Sequence, residues 1–416
     1  MRAKVLFYFL LMTTVMWSQQ EITLDACYNF LNENYPLEKQ MDLLTSKQAT
    51  EILAVETEKL PQFNLRAQAT YQSDVIEIPF ENSSIEPLNK EQYRTILSVN
   101  QLIYGGGLVH AKSNLTRAKY DTDKKQVEVN LYQLKIQVNQ LYFSILLTQE
   151  KHHLLLQKQA QLNTKLKEVI SGIKNGVLLP TSNKTIEVEL LKIDQEINST
   201  LKDKTTLIQS LSALIGVEMD DSTNFETPLV STSISSALSR PELELFELKK
   251  EEIGASELLL SKENLPHLTA FTDGGLGNPG LNVLDNSFQG FYTVGLKFKW
   301  NVFDWNANKK QRQSLLISKD VIDAEREVFE LNTNIKLNEY EADINKLSTM
   351  IDSDTDIISL RKEVLNATES QLENGVITTS VYITELTNLY EDENRLITHG
   401  IQLELIKSNY NVIQGN

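Results

Sequence analysis

A single cysteine, Cys27, in 416 residues excludes a disulfide framework and any zinc site built on thiolates. Only five histidines remain as bases or soft ligands, which tilts the chain away from metalloenzymes. Positive charge is scarce as well: 40 Lys and Arg face 56 Asp and Glu, a formal charge of −16. Binding phosphate backbones takes a concentrated basic surface, so nucleic acid is excluded as the partner. Past the N-terminus no apolar run is long enough for a membrane-crossing helix. If the chain spans a membrane, it does so with strands. No Ser/His/Asp, Cys/His or paired-carboxylate arrangement stands out, so no catalysis, cofactor or metal is expected. His152 and His153 are adjacent, about 100° apart on a helix, and cannot chelate together.

Glycine and proline are missing from residues 108–171 and again between 296 and 374. An interior Pro costs a helix about 3 kcal/mol and a Gly about 1 kcal/mol, so stretches this free of breakers predict very long helices. One helix over 108–171 would be roughly 95 Å long at about 1.5 Å per residue. Apolar residues recur there at heptad spacing: Leu131, Leu134, Val138, Leu141 and Ile145, then Leu162, Leu166, Val169 and Ile173. Ile317, Val321, Ala324, Val328, Leu331 and Ile335 repeat the pattern. A period near 3.5 predicts coiled-coil hairpins rather than short core helices.

What is present is mostly present twice. Pro36 and Pro61 correspond to Pro241 and Pro266; Asn175-Gly176-Val177 corresponds to Asn374-Gly375-Val376, and Gly216 to Gly415. The organisation expected is a signal peptide over 1–18, a first repeat over 19–216, a linker over 217–238 and a second repeat over 239–416. The signal rests on Arg2 and Lys4 ahead of a largely apolar run over 5–17. Cys27 lies beyond that run, past Glu21 and Asp25, and reads as a buried thiol.

Four windows have a period of two instead, over about 63–73, 93–104, 268–276 and 290–303. In the last, Tyr292, Val294, Leu296, Phe298 and Trp300 alternate with Thr293, Gly295, Lys297 and Lys299. Val294, Leu296 and Phe298 are expected to face lipid, with Lys297 and Lys299 towards water. Tyr71, Tyr104, Trp300 and Trp305 suit a membrane-interface girdle. Four strands cannot close a barrel and lipid tolerates no open sheet edge, so several chains must share one. Three chains give twelve strands. Connectors over 74–92 and 277–289 read as exposed loops, including the Gly275–Gly280 stretch, whose chance match to a dinucleotide-binding pattern lacks the helix that should follow. Gly105-Gly106-Gly107 reads as a strand-to-helix joint.

The chain resembles the TolC family of outer-membrane efflux proteins. The resemblance rests on Ile22-Thr23-Leu24-Asp25-Ala26 with Asn32-Glu33-Asn34-Tyr35-Pro36 at the start of the first repeat. Arg240-Pro241-Glu242-Leu243 and Asn264-Leu265-Pro266 open the second, and the doubled Asn-Gly-Val turns complete the order. It implies a mainly helical protein with a membrane β-barrel part: a homotrimer sharing a 12-stranded barrel and a periplasmic helical barrel. It also implies a place in the outer membrane, contact with its lipid, and work with a periplasmic adaptor and an inner-membrane pump in efflux or type I secretion. Where the family often carries gating aspartates, this chain has Ser182, Val381 and Thr384, with Ile377 at the basic gate position. Thr384 and the nearby carboxylates Glu187 and Glu385 are the pore-mouth candidates. Gly176, Val177, Leu178, Gly375, Val376 and Ile377 are candidates for docking a partner at the helix tips, with Thr181 and Ser380 as caps of the returning helices. The rival reading is a soluble periplasmic coiled-coil adaptor or scaffold, which accounts for the heptads but not for the strands.

Overall fold

The structure is a computed structural model that describes residues 21–76, 87–232 and 238–415. The signal peptide expected over 1–18 lies outside the described residues. Among the described residues, seven α-helices and four strands run in the order α1 (Leu24–Asn34), α2 (Pro36–Glu56), β1 (Gln62–Tyr71), β2 (Glu91–Tyr104), α3 (Leu108–Lys174), α4 (Ser182–Ile215), α5 (Pro241–Glu263), β3 (His267–Asn278), β4 (Gln289–Lys299), α6 (Ala307–Glu373) and α7 (Thr379–Gln414). Among the described residues no helix is long and apolar enough to cross a membrane. The two breaker-free stretches are helices of 67 residues each, α3 and α6. Gly106 and Gly107 have positive φ at the joint between β2 and α3, where the glycine run predicted a break.

The chain forms two compact units. One comprises Met1–Glu38, Asn130–Arg240 and Asn332–Asn416; the other comprises Lys39–Val129 and Pro241–Leu331. Each unit therefore takes matching pieces from both sequence copies.

In the first unit, four helical segments pack around apolar residues spaced in sevens: Leu155, Leu162 and Val169 on α3, Ile186 and Ile193 on α4, and Ile358, Leu365 and Leu372 on α6. Tyr382, Leu386 and Leu389 of α7 close the cluster. Leu162 and Val169 come from the heptads read in the sequence, with Leu166 and Ile173 packed beside them; the facing residues on α4, α6 and α7 were not read, and the four helices pair as two antiparallel hairpins. A second cluster joins Leu24, Cys27 and Leu31 of α1 to Val138, Tyr142 and Phe143 of α3, Ile208 and Leu211 of α4, and Phe225. Ile22 forms a parallel bridge with Phe225, and the Tyr142 hydroxyl donates to the Ile22 or Glu226 carbonyl, 2.8 and 2.7 Å away. The Thr23 side chain caps α1 by accepting from the Ala26 amide at 3.2 Å.

Burial pushes the Cys27 thiol up to about 12, so almost no thiolate exists at neutral pH. Iodoacetamide is expected to leave the native protein unmodified and to alkylate Cys27 only after denaturation, as read by intact mass. Labelling of the folded chain at a rate near that of free cysteine would contradict this packing.

The second unit holds α2, α5, the sheet and the first turns of α3 and α6. Here one heptad seam behaves differently from its reading. Ile317, Val321, Val328 and Leu331 of α6 are exposed, whereas Leu131, Val138 and Ile145 of α3 are buried. The sequence wrote both seams alike; the single chain covers only one.

Candidate functional site

The four strands form one antiparallel sheet in the order β1-β2-β3-β4. In it Leu65 pairs with Leu97, Ala270 with Leu296, and Thr272 with Val294. Carried across all strands, this register puts Phe63, Leu65, Leu97, Leu276, Val294, Leu296 and Phe298 on one face. That face is open: Leu65 is 74% exposed and Leu296 68%. Arg66, Ser98, Asp273, Lys297 and Lys299 share the other face. The side-chain alternation of a strand makes this separation obligatory once the register is set. Among the described residues, strand β1 and strand β4 each leave one edge unpaired.

Two details correct the reading of the sequence. Strand β4 ends at Lys299, so Trp300 and Phe303 follow the strand instead of continuing it. Lys299 already pairs with His267, the first residue of β3, and no earlier β3 residue is available to Trp300. Gly277 and Asn278, placed in the connector beyond the strand predicted over 268–276, belong to β3. A Cβ on Gly275 would lie 2.4 Å from the Thr95 carbonyl oxygen and 2.9 Å from the Phe291 ring, so glycine there makes room for a close neighbour strand.

The girdle aromatics fall at both ends of the sheet. Tyr71 pairs with Glu91 at the loop end, near Tyr93, which stacks on Phe288 at 6.1 Å. Tyr104 and Trp300 lie at the helix end with Phe303, which meets Trp305 edge-on at 4.8 Å. All four predicted aromatics are exposed. Sequence reasoning missed Tyr93, Phe288 and Phe303; the alternation of Tyr93 with Arg94 was the available signal.

In the first unit the turns after α3 and α6 share one geometry. The Gly176 amide donates to the Ile173 carbonyl at 3.1 Å and that of Val177 to Gly172 at 2.9 Å; Gly375 and Val376 repeat this onto Leu372 and Gln371, both at 2.9 Å. Gly176 and Gly375 have φ of 75° and 68°, which a side chain would strain. The two turns abut: a Cβ on Gly375 would lie 3.1 Å from the Val177 carbonyl oxygen.

The docking candidates divide here. Val177 and Val376 are exposed, at 50% and 72%, and Leu179 joins them. Leu178 and Ile377 instead pack on the hairpin core, Leu178 filling the notch at Gly172. The cap expectations also shift. Thr181 holds the cap position of α4 but makes no side-chain cap bond, and the cap residue of α7 is Thr378, not Ser380.

The pore-mouth candidates are already engaged within the chain. Glu187 takes Lys184 at 2.6 Å and Asn183 at 3.2 Å. Arg361 bridges Glu385 at 3.2 Å and Asp392 at 3.0 Å, and Arg395 adds a second bond to Asp392. The Thr384 hydroxyl donates back to the Ser380 carbonyl at 3.0 Å. Ser182 is buried and Val381 exposed. Glu168, Glu369 and Glu373 gather as a cation-binding group would, yet Lys165 is the cation they surround.

Two ion-paired groups of the hairpins, Lys158 with Glu189 and Lys165 with its glutamates, are sheltered enough to matter for stability. Burial opposes the Glu189 charge, but Lys158 at 3.0 Å outweighs it and holds the carboxyl below its usual 4.5. Burial likewise opposes the Lys165 charge, but Glu168 and Glu369 hold the ammonium above its usual 10.5. A depressed acid contributes stability present above its unfolded value and lost as pH falls through the folded one; a raised base contributes stability lost as pH rises through its folded value. Hydrogen-exchange protection in the tip hairpins, measured relative to the intrinsic amide rate at each pH, should therefore fall below about pH 4.5 and above about pH 10.5. A Lys158→Met, Glu189→Leu chain should lose part of the acid limb. An unchanged acid limb would assign it to other carboxylates.

No protein-family model matches the sequence, and no curated protein sequence does. Solved structures do. CusC, whose crystal structures concern the conformational changes that accompany folding and transmembrane channel formation, superposes with a TM-score of 0.69 at 13% identity, covering 94% of this chain and 92% of that one. The outer-membrane protein VceC of Vibrio cholerae gives 0.68 at 12% identity, over 94% and 96%. The MtrE outer-membrane channel of Neisseria gonorrhoeae, in its open state, gives 0.65 at 14%, over 94% and 89%. The chain has the fold of these outer-membrane channels along nearly its whole length, the fold the resemblance implied.

Proposed function

We propose that this chain is one subunit of a homotrimeric exit duct in the outer membrane, a passive conduit in an efflux or type I secretion system. The observation that carries the reading is the sheet: four strands, two unpaired edges, and one face apolar and uncovered. Lipid would cover that face, and neighbouring copies would pair the edges, since an open edge is not tolerated in hydrocarbon. Three copies close twelve strands. The exposed α6 seam at Ile317, Val321, Val328 and Leu331 supports the same assembly, because a heptad stripe is stable only against a partner helix. Residues 19–216 and 239–416 are then the two copies of a duplicated subunit, with 217–238 as their linker.

The partners proposed are a periplasmic adaptor and, through it, an inner-membrane pump. The exposed Val177 and Val376 turns offer the adaptor an apolar contact. Cargo moves down its own gradient or is pushed by the pump; the duct performs no chemistry. A soluble scaffold would not need the bare sheet. Sodium carbonate washing of membranes separates the two readings: the protein should stay in the outer-membrane pellet, and its complete release into the wash would overturn the duct.

A further inference from the structure

The face of the sheet opposite the lipid-facing one has a charge sign opposite to that of the chain. Arg66, Arg94, Lys297 and Lys299 all lie on it by register, with Asp273 as the only carboxylate among its strand residues. The whole chain carries 56 acidic side chains against 40 basic, so random placement would have made this face acidic. Among the described residues none of the four cations is paired with a carboxylate, although most lysines and arginines of the long helices are.

Two levels of charge follow from the register. Arg66 pairs with Ile96, next along the face from Arg94, towards the loop end. Lys299 pairs with His267, and Lys297 with Thr269, towards the helix end. Asp273, opposite Ser98, lies between the two levels.

The same face is also cut for aromatic plates. A Cβ on Gly295 would lie 2.9 Å from the Phe271 ring, and one on Gly275 would lie 2.9 Å from the Phe291 ring. Each ring thus lies over a glycine of the neighbouring strand. The Arg94 guanidinium lies 6.0 Å from the Phe291 ring centre, within cation–π range. Guanidinium and ammonium groups beside flat rings suit solutes that pair a negative group with an apolar body.

We infer that the water-facing wall of the barrel favours anions, and that the cargo class it passes most readily is organic anions bearing carboxylate, sulfonate or phosphate groups. This rests on the duct reading, which makes the face a lumen wall repeated in each copy. Unpaired charges lining a narrow aqueous passage raise the local concentration of ions of opposite sign.

The test measures the field at the wall itself, so a constriction elsewhere in the duct does not confound it. Ile96→Cys places a thiol between Arg66 and Arg94, while the native Cys27 is buried and serves as the unreactive background. The full-length protein in vesicles is treated with methanethiosulfonates bearing either sulfonate or trimethylammonium, each rate normalised to a free thiol. The sulfonate should react faster by roughly fivefold at physiological salt, and the preference should shrink severalfold near 1 M salt, where screening falls to about 3 Å. With Arg66→Gln and Arg94→Gln added, the ratio should approach one; the salt series gives the same answer without further substitution should that variant fold poorly. A ratio at or below one in the Ile96→Cys chain would overturn the anion preference and leave the duct intact. A thiol that neither reagent reaches in the folded protein would mean that this face is not water-lined, and both readings would fall.

Discussion

Leu296→Arg is expected to keep the protein out of the outer membrane. Leu296 stands 68% exposed on a face where its neighbours are Val294, Phe298 and the cross-strand Ala270. An arginine near the bilayer midplane of a barrel costs about 2–4 kcal/mol, falling towards the interfaces. In a shared barrel every copy carries the charge, so the cost is incurred in each subunit. Thr293→Arg is the matched control, because Thr293 pairs with Asp273 on the water-facing side. Carbonate-washed outer membranes should contain the Thr293→Arg protein near wild-type level and the Leu296→Arg protein at a small fraction of it. Equal amounts of both would show that the apolar face does not meet lipid.

The second large effect is expected at the hairpin tips. Val177→Asp combined with Val376→Asp should abolish export while moving the melting temperature little. Val177 is half exposed and Val376 largely so, so aspartate there removes little packing and buries no charge. The glycines beside them keep the turn geometry, since the hydrogen bonds that close each turn come from backbone amides. Leu178→Asp or Ile377→Asp should behave differently. Those side chains pack on the core formed by Leu162, Val169, Leu365 and Tyr382, and a charge there should lower the melting temperature outright. Export measured beside thermal melting distinguishes docking from stability. If Val177→Asp with Val376→Asp exports normally, the tips are not where the partner binds.

The long helices were legible because glycine and proline, which mark their ends, are absent between them, and because α3 and α6 repeat apolar residues at heptad spacing. The strands were legible from their period of two. Their limits were not, because a strand ends where its partner ends: nothing local in Trp300–Asn301–Val302 says that β3 begins at His267. The glycines of β3 misled for a related reason. Their role is to admit Phe291 and the backbone of β2, neighbours that no local pattern reveals. At the tips, the turns could be read from Asn-Gly, but the fate of the apolar residues after them could not. Leu178 turns inward because Gly172, six residues earlier, leaves a notch for it. The ion pairs of the hairpins divide the same way. Lys165 with Glu168 is a helix-spacing pair visible in sequence, whereas Arg361 with Asp392 joins two helices across 31 residues. The α6 seam taught the most. Its heptads predicted a coiled-coil face, yet Ile317, Val321, Val328 and Leu331 are exposed in the single chain, because a period of 3.5 marks a face for a partner helix without saying which chain supplies it.

The central claim is that three copies share one barrel, and the mass of the detergent-extracted, uncrosslinked protein tests it most directly. Native mass spectrometry of the complex purified from outer membranes should give three times the chain mass, with no dimer series and with monomer appearing only on harsh activation. A complex that runs as a monomer under conditions where the strands remain folded would contradict the shared barrel, and with it the duct.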